Sequence, residues 1–212
     1  MRKKTKIVAT ISDMNCEPEF IKSLYKSGMN VVRLNTAHQT PEQTLKIVKN
    51  VRSVSDKIAL LLDTKGPEIR TVQTDIEIRL EKGDFIKVSG NPSGQTTKDH
   101  LFVSYDNFVE EIKEQSHILI DDGTIELQVK DKTRNYLFCE ATNKGIIKGK
   151  KSVNVPCSRF KLPSLTAKDI EYIEFAIEND LDFIAHSFVR NKEDVLKIQD
   201  ILNKHNSSIK II

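Results

Sequence analysis

Strand and helix signals alternate along residues 1–70, stop, and resume from residue 163 to 212. Alternation of this kind builds a parallel sheet covered by helices, so the chain is α/β and the stretch in between is an insertion. Thr5–Ile11 reads as a first strand. Phe20, Ile21, Leu24 and Tyr25 recur at helical spacing after Pro18, and Gly28 ends that helix. Asn30–Asn35 is a second strand. Thr40, Pro41 and Gln43 open a helix with an N-cap, a proline at the first helical position and a capping box. Ile58–Asp63 is a third strand, apolar throughout, as for burial on both faces.

In 71–162 the helical period is lost. Short strands are expected at Ile76–Leu80, Asp84–Val88, Leu101–Tyr105, Ile118–Ile120, Thr124–Val129, Tyr136–Glu140 and Val153–Val155, with Asp121-Asp122-Gly123 as a hairpin turn. This is an antiparallel β domain, read as a barrel. From Ser164 onward Thr166 and Asp169 form a second capping box, and Ile170, Ile173 and Ile177 share a helix face. Phe183 lies in a fourth strand, and a helix over 191–203 turns Val195, Ile198 and Leu202 inward. A fifth strand starts at Lys210. The sheet belongs to a doubly wound fold or to a (β/α)8 barrel. A closed barrel takes roughly 250 residues, about twice what the two α/β segments supply. Either the sheet is open and small, or the chain is part of a larger protein.

Composition narrows the class. With 38% hydrophobic and 30% charged residues, the 212-residue chain suits a folded soluble protein and not a disordered one. The aliphatic run Ile58–Leu62 is too short to span a membrane, and no signal-peptide core follows the basic residues at 2–6. Cys16, Cys139 and Cys157 are too scattered for a disulfide framework or a CxxC metal site; they read as inert thiols in a cytoplasmic protein. Thirty-three basic against 30 acidic residues is too even for a polycation. With no tryptophan, and with Phe85, Phe102, Tyr105, Phe108, Tyr136 and Phe138 mostly at core positions of the β segment, stacking on nucleic acid is not expected.

Polar clusters fall at the C-terminal ends of three expected parallel strands: Arg33-Leu34-Asn35-Thr36-Ala37-His38, Asp63-Thr64-Lys65-Gly66-Pro67-Glu68-Ile69-Arg70 and His186-Ser187-Phe188-Val189-Arg190. Barrel enzymes place their chemistry at such ends. Two arginines and a lysine at one mouth suit phosphate or carboxylate, and Asn35 and Asp63 offer hard oxygens to a cation. One such cluster would read as a solvated strand end; three in succession read as a site.

These stretches, with Thr5–Ile11, Gly28–Asn35, Asp121-Asp122-Gly123 and Lys151–Pro156, closely resemble the pyruvate kinase family in order and spacing. Asp63–Arg70 is specific by itself. The resemblance covers the whole chain and the N-terminal part of the family. It implies a partial (β/α)8 barrel, residues 1–70 and 163–212, interrupted after its third strand by a β-barrel lid domain, residues 71–162. It implies phosphoryl transfer from phosphoenolpyruvate to ADP, giving pyruvate and ATP, with Mg²⁺ and K⁺ as cofactors and a homotetramer for the whole protein. It casts Arg33, Ser187 and Phe188 as substrate contacts, and Asn35, His38, Arg70 and Lys151 as nucleotide contacts. It also casts Asn35, Asp63 and Thr64 as K⁺ ligands, Glu68 as the residue that accompanies K⁺ dependence, and Asp121 in a secondary role at the cleft. The family pattern is broken at Ala37, where a serine cation ligand is usual, and at Ser12-Asp13, Ser152 and His186. The family's catalytic lysine and its Mg²⁺ ligands follow the strand at Lys210, so residues 1–212 are expected to be a fragment without useful activity alone. The rival reading is a non-catalytic, ligand-binding β-barrel module on a truncated scaffold.

Overall fold

The computed structural model describes residues 4–158 and 160–212, and counts refer to those; the basic residues Arg2 and Lys3 lie outside them. Contacts divide the chain into two compact units, residues 1–67 with 163–212, and residues 68–162. In the first unit β1 (Val8–Thr10) leads through a 3₁₀ turn at Asp13–Asn15 to α1 (Pro18–Lys26). The helix ends where Gly28 adopts φ 104°, a conformation that costs a side-chain-bearing residue. Next come β2 (Val31–Asn35), α2 (Pro41–Val54) and β3 (Ala59–Asp63). The capping box on α2 forms as its sequence requires: Thr40 Oγ1 accepts from Gln43 N, and Gln43 Oε1 from Thr40 N.

The second unit is all-β apart from one helical turn. Its elements are β4 (Ile69–Arg70), β5 (Ile78–Leu80), β6 (Phe85–Gly90), β7 (His100–Val103), α3 (Phe108–Glu111), β8 (His117–Ile120), β9 (Ile125–Lys132), β10 (Leu137–Ala141), β11 (Gly145–Ile147) and β12 (Ser152–Asn154). Seven of these strands form a sheet in the order β4-β12-β8-β9-β10-β6-β7. A bridge from Thr71 to Val103 brings its two edges together into a nearly closed barrel. Ile86, Val88, Leu101, Ile118, Leu127, Leu137 and the fully buried Phe108 fill it.

The chain re-enters the first unit with α4 (Ala167–Glu178), β13 (Phe183–Ala185), α5 (Lys192–Lys204) and β14 (Lys210–Ile211). The parallel sheet has the order β1-β2-β3-β13-β14, so β13 pairs with β3 across the insertion. This is the partial (β/α)8 barrel interrupted by an all-β barrel.

Several expectations change. The third strand is not buried on both faces: Leu60 and Leu62 are sealed under the helices, whereas Ala59 and Leu61 are half-buried. Leu61 shares its face with Arg33 and Phe183, its register partners, and that face carries the polar groups of the site. Ile170 is exposed; α4 turns Asp169, Tyr172, Ile173 and Ala176 inward, because helical spacing is satisfied by the 169/172/173/176 set as well as by the isoleucines. The β domain is not purely antiparallel, since β6 and β7 run parallel. β4, α3 and β11 carry no periodicity long enough to be read. The aromatics of that domain are mostly outside its core. Phe85 is exposed and stacks on Phe138, and His100 on Phe102, along the outer face of β10, β6 and β7; Phe108 alone of the six is fully buried. No helix among the described residues is long and apolar enough to cross a membrane.

Candidate functional site

In-register pairing lines up the polar residues of the first unit. Thr10, Arg33, Leu61 and Phe183 form one row across the sheet, and Asn35, Asp63 and Ala185 the next, at the C-terminal ends of the strands. Side chains two apart point to the same face of a strand, so both rows face one way while Val32, Leu34, Leu60, Leu62 and Ile184 face the helices.

Asp63 is the hub. Its Oδ2 accepts from Arg33 Nε at 2.8 Å and lies 2.5 Å from Nη2, and its Oδ1 accepts from Ser187 Oγ at 3.0 Å. Arg33 Nη1 donates to Thr10 Oγ1 at 2.9 Å. All three guanidinium nitrogens are thus positioned, and the side chain keeps one-third of its surface open, so the N–H groups turned away from Asp63 and Thr10 remain for an anion. Threonines tie each strand end to its neighbour. Thr36 Oγ1 donates to Asp63 O, Thr64 Oγ1 donates to Ala185 O, and Ser187 N donates to Thr64 Oγ1 at 3.0 Å. Asn35 Oδ1 accepts from Ala37 N. Asn35, Asp63 and Thr64 each carry a hard side-chain oxygen, with Asp63 the one charged group among them, and the Thr64 oxygen is buried against Ala185 O and Ser187 N. Among the described residues no cluster of three or more His, Cys, Asp or Glu side chains is placed to hold a metal.

The structure does not bring every expected residue to this hub. His38 is exposed beyond the turn that follows β2, and Arg190 is bound to Asp194 in the first turn of α5, with Nε to Oδ2 at 3.0 Å and Nη2 to Oδ1 at 3.2 Å. That ion pair holds the Asp194 carboxyl below its ordinary range. Phe188 is half-exposed at φ 58° and rests against Gly66. Thr10 and Thr36 escape sequence reading because only strand register shows what their hydroxyls reach; the signal for Thr10 is its place opposite Arg33.

The second unit gathers its own group. Arg70 grips Glu68 in a two-point fork, Nε to Oε1 at 2.5 Å and Nη2 to Oε2 at 2.9 Å, and donates from Nη1 to Lys150 O. Glu68 raises the Arg70 pKa further above its already basic value. Lys151 Nζ donates to Asp121 Oδ1 at 3.0 Å, and Ser152 Oγ to Asp122 Oδ1 at 2.8 Å. Asp121 and Asp122 both have positive φ, and the tight turn they make folds their carboxylates back over β12. Each basic group therefore has a resident carboxylate. The Lys151–Asp121 pair is open to solvent and contributes about 1 kcal/mol or less, whereas the Arg70–Glu68 fork is bidentate and its carboxylate is largely buried. Burial pushes the Cys139 thiol up to about 12, and Cys16 is buried too; Cys157 is exposed.

Comparison with known proteins follows the same lines. The family described as pyruvate kinase, barrel domain, matches residues 2–212. A pyruvate kinase of Borreliella burgdorferi is 49% identical over 211 residues, spanning 99% of this chain and 44% of that protein. Pyruvate kinases of Staphylococcus aureus strains USA300 and COL are 44% identical over 216 residues, spanning 99% of this chain and 37% of theirs. The chain thus spans less than half the length of these relatives.

Proposed function

The chain belongs to the pyruvate kinase family, and from that premise we propose that it supplies the N-terminal part of an enzyme transferring the phosphoryl group of phosphoenolpyruvate to ADP, with pyruvate and ATP as products. The observation that carries this reading is the Arg33–Asp63–Ser187 group at the strand ends, a guanidinium held rigid by Asp63 and Thr10 with donors to spare for an anion. Phosphoryl transfer asks the protein mainly for positioning and charge neutralisation, and that group supplies both.

In this proposal Arg33, Ser187 and Phe188 contact phosphoenolpyruvate; Asn35, His38, Arg70 and Lys151 contact the nucleotide. Asn35, Asp63 and Thr64 hold K⁺, which adds positive charge beside the phosphoryl group when bound. Ala37 contributes no side-chain oxygen, so the shell is completed by water or a carbonyl. We assign Mg²⁺ to the carboxylates that the family carries after the strand at Lys210. Residues 71–162 are the lid domain of the proposed enzyme, its setting is the cytoplasm, and the whole protein is a homotetramer. Residues 1–212 by themselves turn over little, because the family's catalytic lysine, whose positive charge would offset that of the transferring phosphoryl group, is not among them.

Calorimetric titration of the chain with phosphoenolpyruvate in K⁺ buffer tests the site. Saturable binding, weakened at least tenfold by Arg33→Gln, is expected. Equal binding by the two proteins, or none by the parent, overturns the assignment. A coupled assay tests the inactivity separately: turnover by residues 1–212 at a rate usual for kinases contradicts it.

A further inference from the structure

Asp169 is a fully buried carboxylate that belongs to none of the polar clusters at the strand ends. It stands at the third position of α4, where it closes a capping box with Thr166. Its Oδ2 accepts from Thr166 N at 2.9 Å and from Thr166 Oγ1 at 2.7 Å, and its own N donates to Thr166 Oγ1. A cap needs no more than this and needs no burial. The box on α2 uses a neutral residue, Gln43, and lies at the surface. Burying a charge is costly unless it is fully hydrogen-bonded, so a buried carboxylate at this position calls for a further partner. The partner is Gly66: its N–H donates to Asp169 Oδ1 at 3.2 Å across 103 residues of sequence. The N-terminus of α4 adds a favourable field for the negative charge.

The placement gives the bond its meaning. The chain leaves the first unit after Pro67 and returns at Pro163. Gly66 is the last residue but one before the exit, and Thr166 lies three residues after the return. One carboxylate therefore holds both connecting segments. Gly66 in turn supports the site. It adopts φ 66°, and Phe188 and Ser187 lie so close that a Cβ would approach Phe188 Cδ2 to 2.8 Å and Ser187 O to 3.1 Å. Two residues upstream, Thr64 Oγ1 accepts from Ser187 N.

We infer that Asp169 is a positioning residue that fixes the root of the inserted domain. Through Gly66 it holds the Thr64–Gly66 segment and the Ser187–Phe188 turn in place. The inference draws on the proposed function only for the need of a lid to have a fixed root, and its test uses no ligand, so the two can fail separately.

Amide hydrogen exchange on the 212-residue chain reads the bond directly. Asp169→Asn cannot offer two acceptor oxygens, and the Gly66 amide is expected to exchange about tenfold faster or more. Thr166→Ala weakens the cap and the overall stability but leaves Oδ1 on Gly66, so Gly66 exchange should stay near the parent rate once corrected for stability. A purely helix-capping Asp169 predicts parallel effects in the two variants; that result, or an unchanged Gly66 rate in Asp169→Asn, overturns the inference. If Asp169→Asn does not fold, the parent chain decides: the Gly66 amide must exchange at least tenfold more slowly than that of Lys65, and equal rates refute the anchor.

Discussion

Gly66→Ala tests how the strand end and the turn at residue 187 are fitted together. The backbone at Gly66 is left-handed, which costs an L-residue roughly 1–2 kcal/mol before any contact is considered. The new Cβ would meet Phe188 Cδ2 at 2.8 Å, but that ring is half-exposed and can swing outward at small cost. Ser187 O at 3.1 Å is backbone and cannot, which adds about 1 kcal/mol of overpacking. The expected destabilisation is about 2–3 kcal/mol, with conformational strain the larger part. With no tryptophan in the chain, urea titration read by hydrogen exchange or NMR is the assay, and it resolves the two units. The loss should be confined to residues 1–67 and 163–212. Adding Phe188→Ala should restore less than half of it. A Gly66→Ala protein within about 0.5 kcal/mol of the parent would refute the reasoning. Complete rescue by Phe188→Ala would show that the ring, and not the backbone, sets the cost.

Other expectations follow from single observations. Phe108→Ala empties the centre of the β domain, where the ring is fully buried and stacked on Phe160; a loss of about 3–5 kcal/mol is expected in residues 68–162 by the same titration, and under 1 kcal/mol would be inconsistent with its burial. Alkylation of the native chain should label Cys157 fast and spare Cys16 and Cys139, read by peptide mass; equal labelling of all three would contradict the packing. Arg190 depresses the folded-state pKa of Asp194, so the pair's stabilisation is present above the ordinary carboxylate value of 3.8 and is lost as pH falls through the folded value. The stability gap between parent and Asp194→Asn should therefore narrow below that pH, and a gap constant down to pH 2 would argue against the pairing.

What the sequence determined is local. Pro18, the Thr40–Gln43 and Thr166–Asp169 boxes, Gly28 and the Asp121–Gly123 turn act over a few residues, and each produced the helix limit or hairpin its chemistry demands. The break in strand–helix alternation was equally legible, because a parallel sheet and a β-barrel need different periods of hydrophobicity. The motif at Asp63–Arg70 was visible as a string of letters, but not its bonds. Asp63 meets Arg33 from 30 residues away and Ser187 from 124, and those partners follow from strand order and register alone. The same holds for the half-open face of Leu61, the outward aromatics of the β domain and the second duty of Asp169. A side chain's neighbours across a sheet depend on which strand lies beside it, and that choice is made by the packing of the whole unit, not by the residues adjacent in the chain.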